Sequence, residues 1–241
     1  MKYYLVLFVL YTPNVISQSF DYLPGTNQIV EYSEFTLSYN EEHEQPNWVA
    51  YELTKQEVLT KRERCNCFKA DKKILTGSAT LADYKGSGYD RGHLAPSAAN
   101  KITEQANEES FLMSNMSPQL AGFNRYIWKD LESKIRDFAI NNNVVYVVTG
   151  PVFKNNIARI GTNKVTVPGY YYKVVLVNNE NQHKAIAFLL KHEASKEKLT
   201  SFVVTVDHIE ALTGIDFFPE LEDNMETELE SKIDVSKWDW N

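Results

Sequence analysis

Residues 169–191 read "GYYYKVVLVNNENQHKAIAFLLK", two runs of β-branched, aromatic and aliphatic residues on either side of a polar Asn/Glu turn. Two such runs joined by so short a connection pair antiparallel, so this stretch predicts a hairpin. Any fold for the chain has to accommodate it. "NWVAYELT" (47–54) puts Val49, Tyr51 and Leu53 on alternate positions, the pattern of a strand with one buried face. "NVVYVVTGPVF" (143–153) is a short β-branched run, read as a central strand that stops at Gly150-Pro151. "TSFVVTVDHIEALTG" (200–214) reads as a strand and a short helix, with Asp207 as N-cap, Glu210 at the capping-box position and Gly214 after the last turn. Strands outnumber helices and no segment repeats. The expected class is α+β, with a largely antiparallel central sheet flanked by helices.

One long helix is predicted from about Gly122 to Ile140. On a 3.6-residue wheel Ile127, Trp128, Leu131, Ile135, Phe138 and Ala139 form one apolar arc. Asn124 falls in the middle of that arc and Glu132 on its edge. Both polar groups therefore face the body of the protein or a cleft in it, and a buried amide needs partners.

The 241 residues are enough for one large domain, and no break in composition divides them. At the N-terminus, Lys2 precedes an apolar run from Tyr3 to Leu10, then small or uncharged residues to Ser17. This predicts a signal peptide over 1–17, a secreted or periplasmic protein and a single domain over 18–241. The run is too short to span a bilayer, so no stable membrane association is expected. The two cysteines, Cys65 and Cys67, are separated by one residue. A bridge between them would close almost no loop, and they lack the partners of a zinc site, so they read as two unbridged, partly buried residues.

The formal net charge of −7 argues against a polyanion partner, but the acid is concentrated at one end. Residues 219–241 hold eight carboxylates against Lys232 and Lys237, a local −6. Loss of Lys2 with the signal takes the mature chain to −8, which leaves −2 for everything before that tail. A near-neutral body can carry a local basic site, because steering follows the distribution of charge and not its sum. The tail has few core-forming residues and reads as a peripheral acidic extension that repels nucleic acid.

The polar, glycine-punctuated stretch "YKGSGYDRGHLAPSAAN" (84–100) places Asp90, Arg91 and His93 around Gly92. Gly86, Gly88 and Gly92 suit a backbone that turns and lies close to a bulky ligand. His43, His183, His192 and His208 have no metal-ligand spacing, and there is no nucleophile elbow, Walker loop or His-Glu-x-x-His. Tyr84, Tyr89, Tyr126 and Tyr170 to Tyr172 are candidates for stacking on bases, although tyrosines in strands are usually packing residues.

"YDRGHLAPSAAN", followed by "FLMSNMSPQ" and "NRYIWKDLE", resembles the DNA/RNA non-specific endonucleases, the ββα-metal nucleases that include endonuclease G. The likeness continues upstream through "RCNCF" with Asp71 three residues on, and downstream through "VTGPVF" and "LTGIDFF", covering about Asn47 to Phe218. Phe123 departs from the pattern where Leu is common, with an expected effect on packing only. The resemblance implies a ββα-metal motif and a magnesium-dependent endonuclease acting on DNA and RNA, with manganese able to substitute, as monomer or homodimer. It implies His93 as general base, Asn124 as the direct protein ligand of one Mg2+, and Glu132 as the residue that orients water on that ion. Arg91 and Arg64 would hold phosphate oxygens, with Arg62 an alternative to Arg64, and Asp90 would support the site from behind.

Those residue types suit phosphodiester hydrolysis. Imidazole has an ordinary pKa of about 6.5 and takes a proton at neutral pH. A hard magnesium ion with one neutral amide ligand keeps its charge available to the substrate. Guanidinium groups grip phosphate through paired donors. An inactive nucleic-acid-binding module and a phosphodiesterase for small or lipid substrates are the competing functions. The intact set His93, Asn124 and Glu132 argues against the first, and two arginines directed at one phosphate favour a polymer over the second.

Overall fold

The computed structural model describes residues 29–240, so the signal peptide expected over 1–17 lies outside the described residues. In chain order the strands are β1 (Ile29–Glu31), β2 (Thr36–Asn40), β3 (Gln45–Thr54), β4 (Asp90–His93), β5 (Met116–Gln119) and β6 (Val144–Val152). They continue with β7 (Ala158–Ile160), β8 (Val165–Val167), β9 (Tyr170–Asn179), β10 (Gln182–Lys191) and β11 (Val203–Val204). Seven form one sheet in the order β1-β2-β3-β6-β9-β10-β11, antiparallel throughout. The expected α+β class with an antiparallel central sheet is therefore found. The hairpin is β9–β10, with Gln182 opposite Asn179 at the turn and Lys191 opposite Tyr170 at the far end.

The helices are α1 (Lys55–Leu59), α2 (Leu81–Tyr84), α3 (Glu104–Glu109), α4 (Lys129–Asn142), α5 (Val206–Thr213) and α6 (Asp223–Glu230). The alternation of the long strands assigns their side chains to two separate cores. Tyr51, Val147, Tyr171, Val175 and Phe188 face Trp128, Leu131, Ile135 and Phe138 on one side of the sheet. Trp48, Ala50, Val148, Tyr172, Val174 and Ala187 face Val206, Ile209, Phe217 and Leu221 on the other. Each such side chain taken fully out of water contributes about 1.5–3 kcal/mol, so a one-residue register slip would exchange the two cores and is strongly disfavoured. Phe123 is fully buried and stacks on Trp128 and Tyr171, the packing role expected of it.

Several local readings need correction. The strand β6 does not stop at Gly150-Pro151 but pairs with β9 through Val152, with Pro151 opposite Tyr171. The N-cap of α5 is Thr205, whose hydroxyl accepts from the His208 amide at 3.1 Å, and not Asp207. A threonine two residues earlier satisfies the same orphan donors and leaves Asp207 on the exposed first turn. The helix predicted from Gly122 begins as a wide π-type stretch, Phe123–Trp128, before α4. Such a stretch rotates less per residue than an α-helix, so a uniform wheel misplaces its residues, and stretches of this kind recur at functional sites.

Cys65 and Cys67 are not free: they form a disulfide, with Cα atoms 5.1 Å apart. The ring closes over a single residue because Asn66 takes φ 52°, in the left-handed region that Asn tolerates better than most residues. The C-terminal segment is also not peripheral. Leu221, Met225 and Leu229 pack on the second core, and Trp238 is buried in the first against Phe138, with ring centroids 4.6 Å apart. Sparse apolar residues in an acidic segment still anchor it when each finds a slot in a core.

Candidate active site

Strands β4 and β5 form their own two-stranded sheet, with Asp90 opposite Gln119 and His93 opposite Met116. The chain leaves β5 through Leu120 and enters the π-type stretch and α4, so two strands and a helix form one unit. His192 fixes the junction: its Nε2 accepts from the Leu120 amide at 2.7 Å, and its Nδ1 lies 2.9 Å from the Pro168 carbonyl. This histidine is structural, as its lack of ligand spacing implied. Gly92 is required here by packing, since a Cβ would lie 2.2 Å from the Gln119 side chain. Gly86 and Gly88, at φ 71° and 85°, supply the turn that leads into β4.

Arg91 and His93, two apart on β4, share one face of the strand. Both meet Phe68: the Arg91 guanidinium lies 4.0 Å from its ring centroid, and the imidazole 5.6 Å. Phe111 completes the shelf, edge-on to His93 at 4.8 Å and under the Arg64 guanidinium at 4.8 Å. Two aromatic rings thus hold two arginines beside one imidazole. His93 is buried, yet its Nε2 has no hydrogen-bond partner. Burial first, then the positive charges of Arg64 and Arg91, push its pKa down to about 3. Near neutral pH the ring is uncharged and free to accept a proton.

Arg64 is aimed by its neighbours. Its Nε donates to Asn66 Oδ1 at 2.9 Å and its Nη1 to Ser97 Oγ at 2.9 Å. The Cys65–Cys67 ring therefore fixes Asn66, and Asn66 fixes Arg64. Arg62 points elsewhere, donating through Nε to the Lys101 carbonyl at 2.9 Å.

On the opposite wall, Asn124 Nδ2 donates to Asp90 Oδ2 at 3.0 Å. Arg125 grips the same carboxylate through Nε at 2.8 Å and Nη2 at 2.7 Å. Those donors, the Arg125 bonds foremost, hold the Asp90 carboxyl below its ordinary range, so it stays ionised and accepts only. The Asn124 amide must therefore present its nitrogen to Asp90, which leaves its oxygen for the cleft.

Glu132 lines the same cleft as Arg64, Arg91, His93, Asn124 and Lys129, a space of about 360 Å3. Behind it lies Lys173, fully buried on β9, its ammonium 3.1 Å from Thr149 Oγ1 and 4.4 Å from the Trp128 ring centroid. Burial pushes the Glu132 carboxyl up and the Lys173 ammonium down, and the opposite charge of each partner offsets part of both shifts. A neighbouring hollow shares Arg64, Arg91, Asn124 and Arg125 and adds Tyr89, Lys85 and Asp90. Across the two hollows five cationic side chains face two carboxylates, a basic groove on an acidic protein.

All six residues named from the sequence line this groove. The donor set fits a hard divalent ion: a neutral amide oxygen from Asn124, fixed by Asp90, with the carboxylate of Glu132 in the same cleft. Four contributors escaped the sequence reading: Phe68 and Phe111 as the shelf, Lys173 behind Glu132, and Arg125 on Asp90. Only Arg125, adjacent to Asn124, carried any local signal. Of the tyrosines, Tyr84, Tyr171 and Tyr172 are buried, while Tyr126 is exposed and Tyr89 lines the groove.

This arrangement defines a ββα phosphodiester hydrolase. The family model for DNA/RNA non-specific endonucleases matches residues 15–224, and the chain belongs to that family of metal-dependent nucleases. It is 34% identical to a nuclease from Nostoc sp. over 224 residues, which cover 88% of this chain and 81% of that one. Nuclease C1 of Cunninghamella echinulata is 36% identical over 218 residues, covering 83% and 86% of the two chains. The solved EndoG/EndoGI complex, which addresses the mechanism of EndoG inhibition, superposes with a TM-score of 0.79 at 29% identity, covering 84% of this chain and 90% of that one. Family membership makes this chain a nuclease with nucleic acid as substrate.

Proposed function

We propose that this chain is a secreted, magnesium-dependent endonuclease that hydrolyses DNA and RNA with little sequence preference, using one metal ion and His93 as general base. The observation that carries the reading is the buried, unpartnered Nε2 of a neutral imidazole set between two arginines. A structural histidine would spend that nitrogen on a hydrogen bond, as His192 does.

In this scheme Arg64 and Arg91 hold the non-bridging oxygens of the scissile phosphate. Their guanidinium groups cannot be deprotonated, and they stack on Phe111 and Phe68, so little reorganisation accompanies charge build-up. His93 takes the proton of the attacking water. As phosphate neutralises the arginines, one of the causes that depresses the imidazole weakens and its basicity rises. Asn124 would hold the Mg2+, and Glu132 would orient water on it. When bound, the ion supplies positive charge to the phosphoryl oxygens and the departing alkoxide. Asp90 keeps the Asn124 oxygen turned outward.

Phosphates carry no sequence information, so a groove built from arginines acts on DNA and RNA alike. The test is incubation of the chain lacking residues 1–17 with plasmid and with RNA, in Mg2+ and in chelator. Cleavage of both polymers only with the metal is expected. Cutting that persists in chelator overturns the magnesium requirement, and cutting of one polymer alone overturns the shared specificity. Arg64→Ala and Arg91→Ala should each weaken use of every substrate, with a shallower dependence of binding on salt.

A further inference from the structure

We propose that Asp207, Glu210 and Glu230 form a calcium site, on the face of the central sheet opposite the catalytic groove, that fastens the acidic C-terminal segment to the body. Asp207 and Glu210 are three apart on α5 and so share one side of that helix. Glu230 ends α6. One carboxylate oxygen from each lies within 4.8 Å of the others. Helix α5 and the residues around α6 pack on the core formed by Tyr172, Val174 and Ala187, whereas the π-type stretch and α4 pack on the other face. The catalytic metal and this one would occupy different sides of the protein.

The second observation is Glu230 itself. It is 6% exposed, and its Oε1 is buried without a hydrogen-bond partner. Its neighbours there are four other carboxylates, Glu210, Glu226, Asp207 and Asp216. A helix that ends by burying a bare carboxylate oxygen among other carboxylates is poorly stabilised on its own. Among the described residues no lysine or arginine pairs with any of the three. A cation is the missing counter-charge. Asp207 is exposed, which leaves a path from solvent, and Glu210 keeps one oxygen on the Phe217 amide at 2.8 Å, which fixes its orientation.

The chemistry favours calcium over magnesium. Calcium accepts six to eight oxygens, including bidentate carboxylates, at about 2.3–2.6 Å in irregular arrangements. Oxygens on opposite sides of such an ion stand about 4.6–5.2 Å apart. Magnesium demands a tighter octahedron and keeps several waters, which suits the single amide of Asn124 better than a cluster of carboxylates.

The test uses the full chain, stripped of divalent ions by chelation and returned to metal-free buffer. Calcium chloride is titrated while thermal unfolding and binding heat are followed, with Asn124→Ala as background so that the groove does not contribute. A calcium-dependent rise in Tm with a dissociation constant of about 1 mM or tighter is expected. Glu230→Gln and the exposed Asp207→Asn should each weaken calcium binding by about tenfold or more. In metal-free buffer at pH 8, Glu230→Gln should unfold at or above the wild-type temperature, since it removes an uncompensated charge. Equal calcium responses in wild type and both variants, or no response in wild type at 10-fold above that concentration, would overturn the site. A response to magnesium equal to that to calcium would overturn the assignment of the ion.

Discussion

Asp90 accepts a hydrogen bond from Asn124 Nδ2 at 3.0 Å while Arg125 closes two more bonds on the same carboxylate. This fixes which end of the Asn124 amide faces the cleft. Asp90→Asn loses the charge that compels that orientation, because an amide can present either donor or acceptor. Activity at low magnesium should fall about 10–100-fold and recover in part as magnesium is raised. Asn124→Ala should lose more and recover less. A magnesium titration of plasmid cleavage reads both, and an unchanged curve for Asp90→Asn would mean that Asp90 serves only Arg125.

His93→Ala should cut the rate by about 10²–10⁴ while leaving substrate binding near wild type. Its pH behaviour is more specific. The unfolded chain takes up a proton on this residue below about pH 6.5, whereas the folded imidazole resists until about 3. The folded state therefore loses stability as pH falls through that window, and the loss is complete below it. His93→Ala should lose less stability than wild type between pH 7 and pH 4, read by urea unfolding at each pH. Removal of Arg64 should raise the acid limb of kcat/KM, because one of the charges that depresses His93 is gone.

Opening the Cys65–Cys67 ring should disturb function more than folding. The ring closes over one residue, so the entropy it removes from the unfolded chain is small. It also holds Asn66 at positive φ, where Asn66 Oδ1 accepts from Arg64. Cys65→Ser with Cys67→Ser should leave Tm nearly unchanged and weaken substrate binding by about tenfold, the worth of a hydrogen bond to a charged group. Fluorescence-anisotropy binding to a labelled oligonucleotide in the His93→Ala background measures it.

Trp238 tests the status of the acidic tail. Trp238→Ala empties a slot against Phe138 in the core that carries α4, and should cost about 3–5 kcal/mol in denaturant unfolding. Deletion of residues 222–241 should destabilise the protein at least as much. A peripheral tail would instead leave the unfolding midpoint where it is.

The sequence by itself carried the hairpin β9–β10 and the α+β class, and its resemblance to the DNA/RNA non-specific endonucleases implied the six groove residues, with Arg62 left open beside Arg64 until the structure turned Arg62 away. Those signals are local: strand alternation is written at every second residue, and Asp90, Arg91, His93, Asn124 and Glu132 fall in two short windows of fixed chemistry. The concentration of acid at one end left a near-neutral body that can carry a basic site, and the structure is what brings the five cationic side chains together. The errors share a cause. The wheel drawn from Gly122 assumed uniform rotation and missed the wide first turns at Asn124. The sequence places the cap of α5 at Asp207, and only the backbone geometry moves it two residues earlier, to Thr205. The bridge at Cys65–Cys67 depended on the φ of Asn66, which composition does not record.

Only the tertiary structure decided which distant side chains meet. Phe68 and Phe111 approach His93 from separate loops, and Lys173 reaches Glu132 from the hairpin. Glu230 meets Asp207 and Glu210 across two helices, and Trp238 finds its slot beside Phe138. Such meetings are set when the sheet closes its register and sorts alternate side chains into two cores. No residue's own type or spacing encodes them, because the stabilisation comes from burying surfaces that lie far apart along the chain.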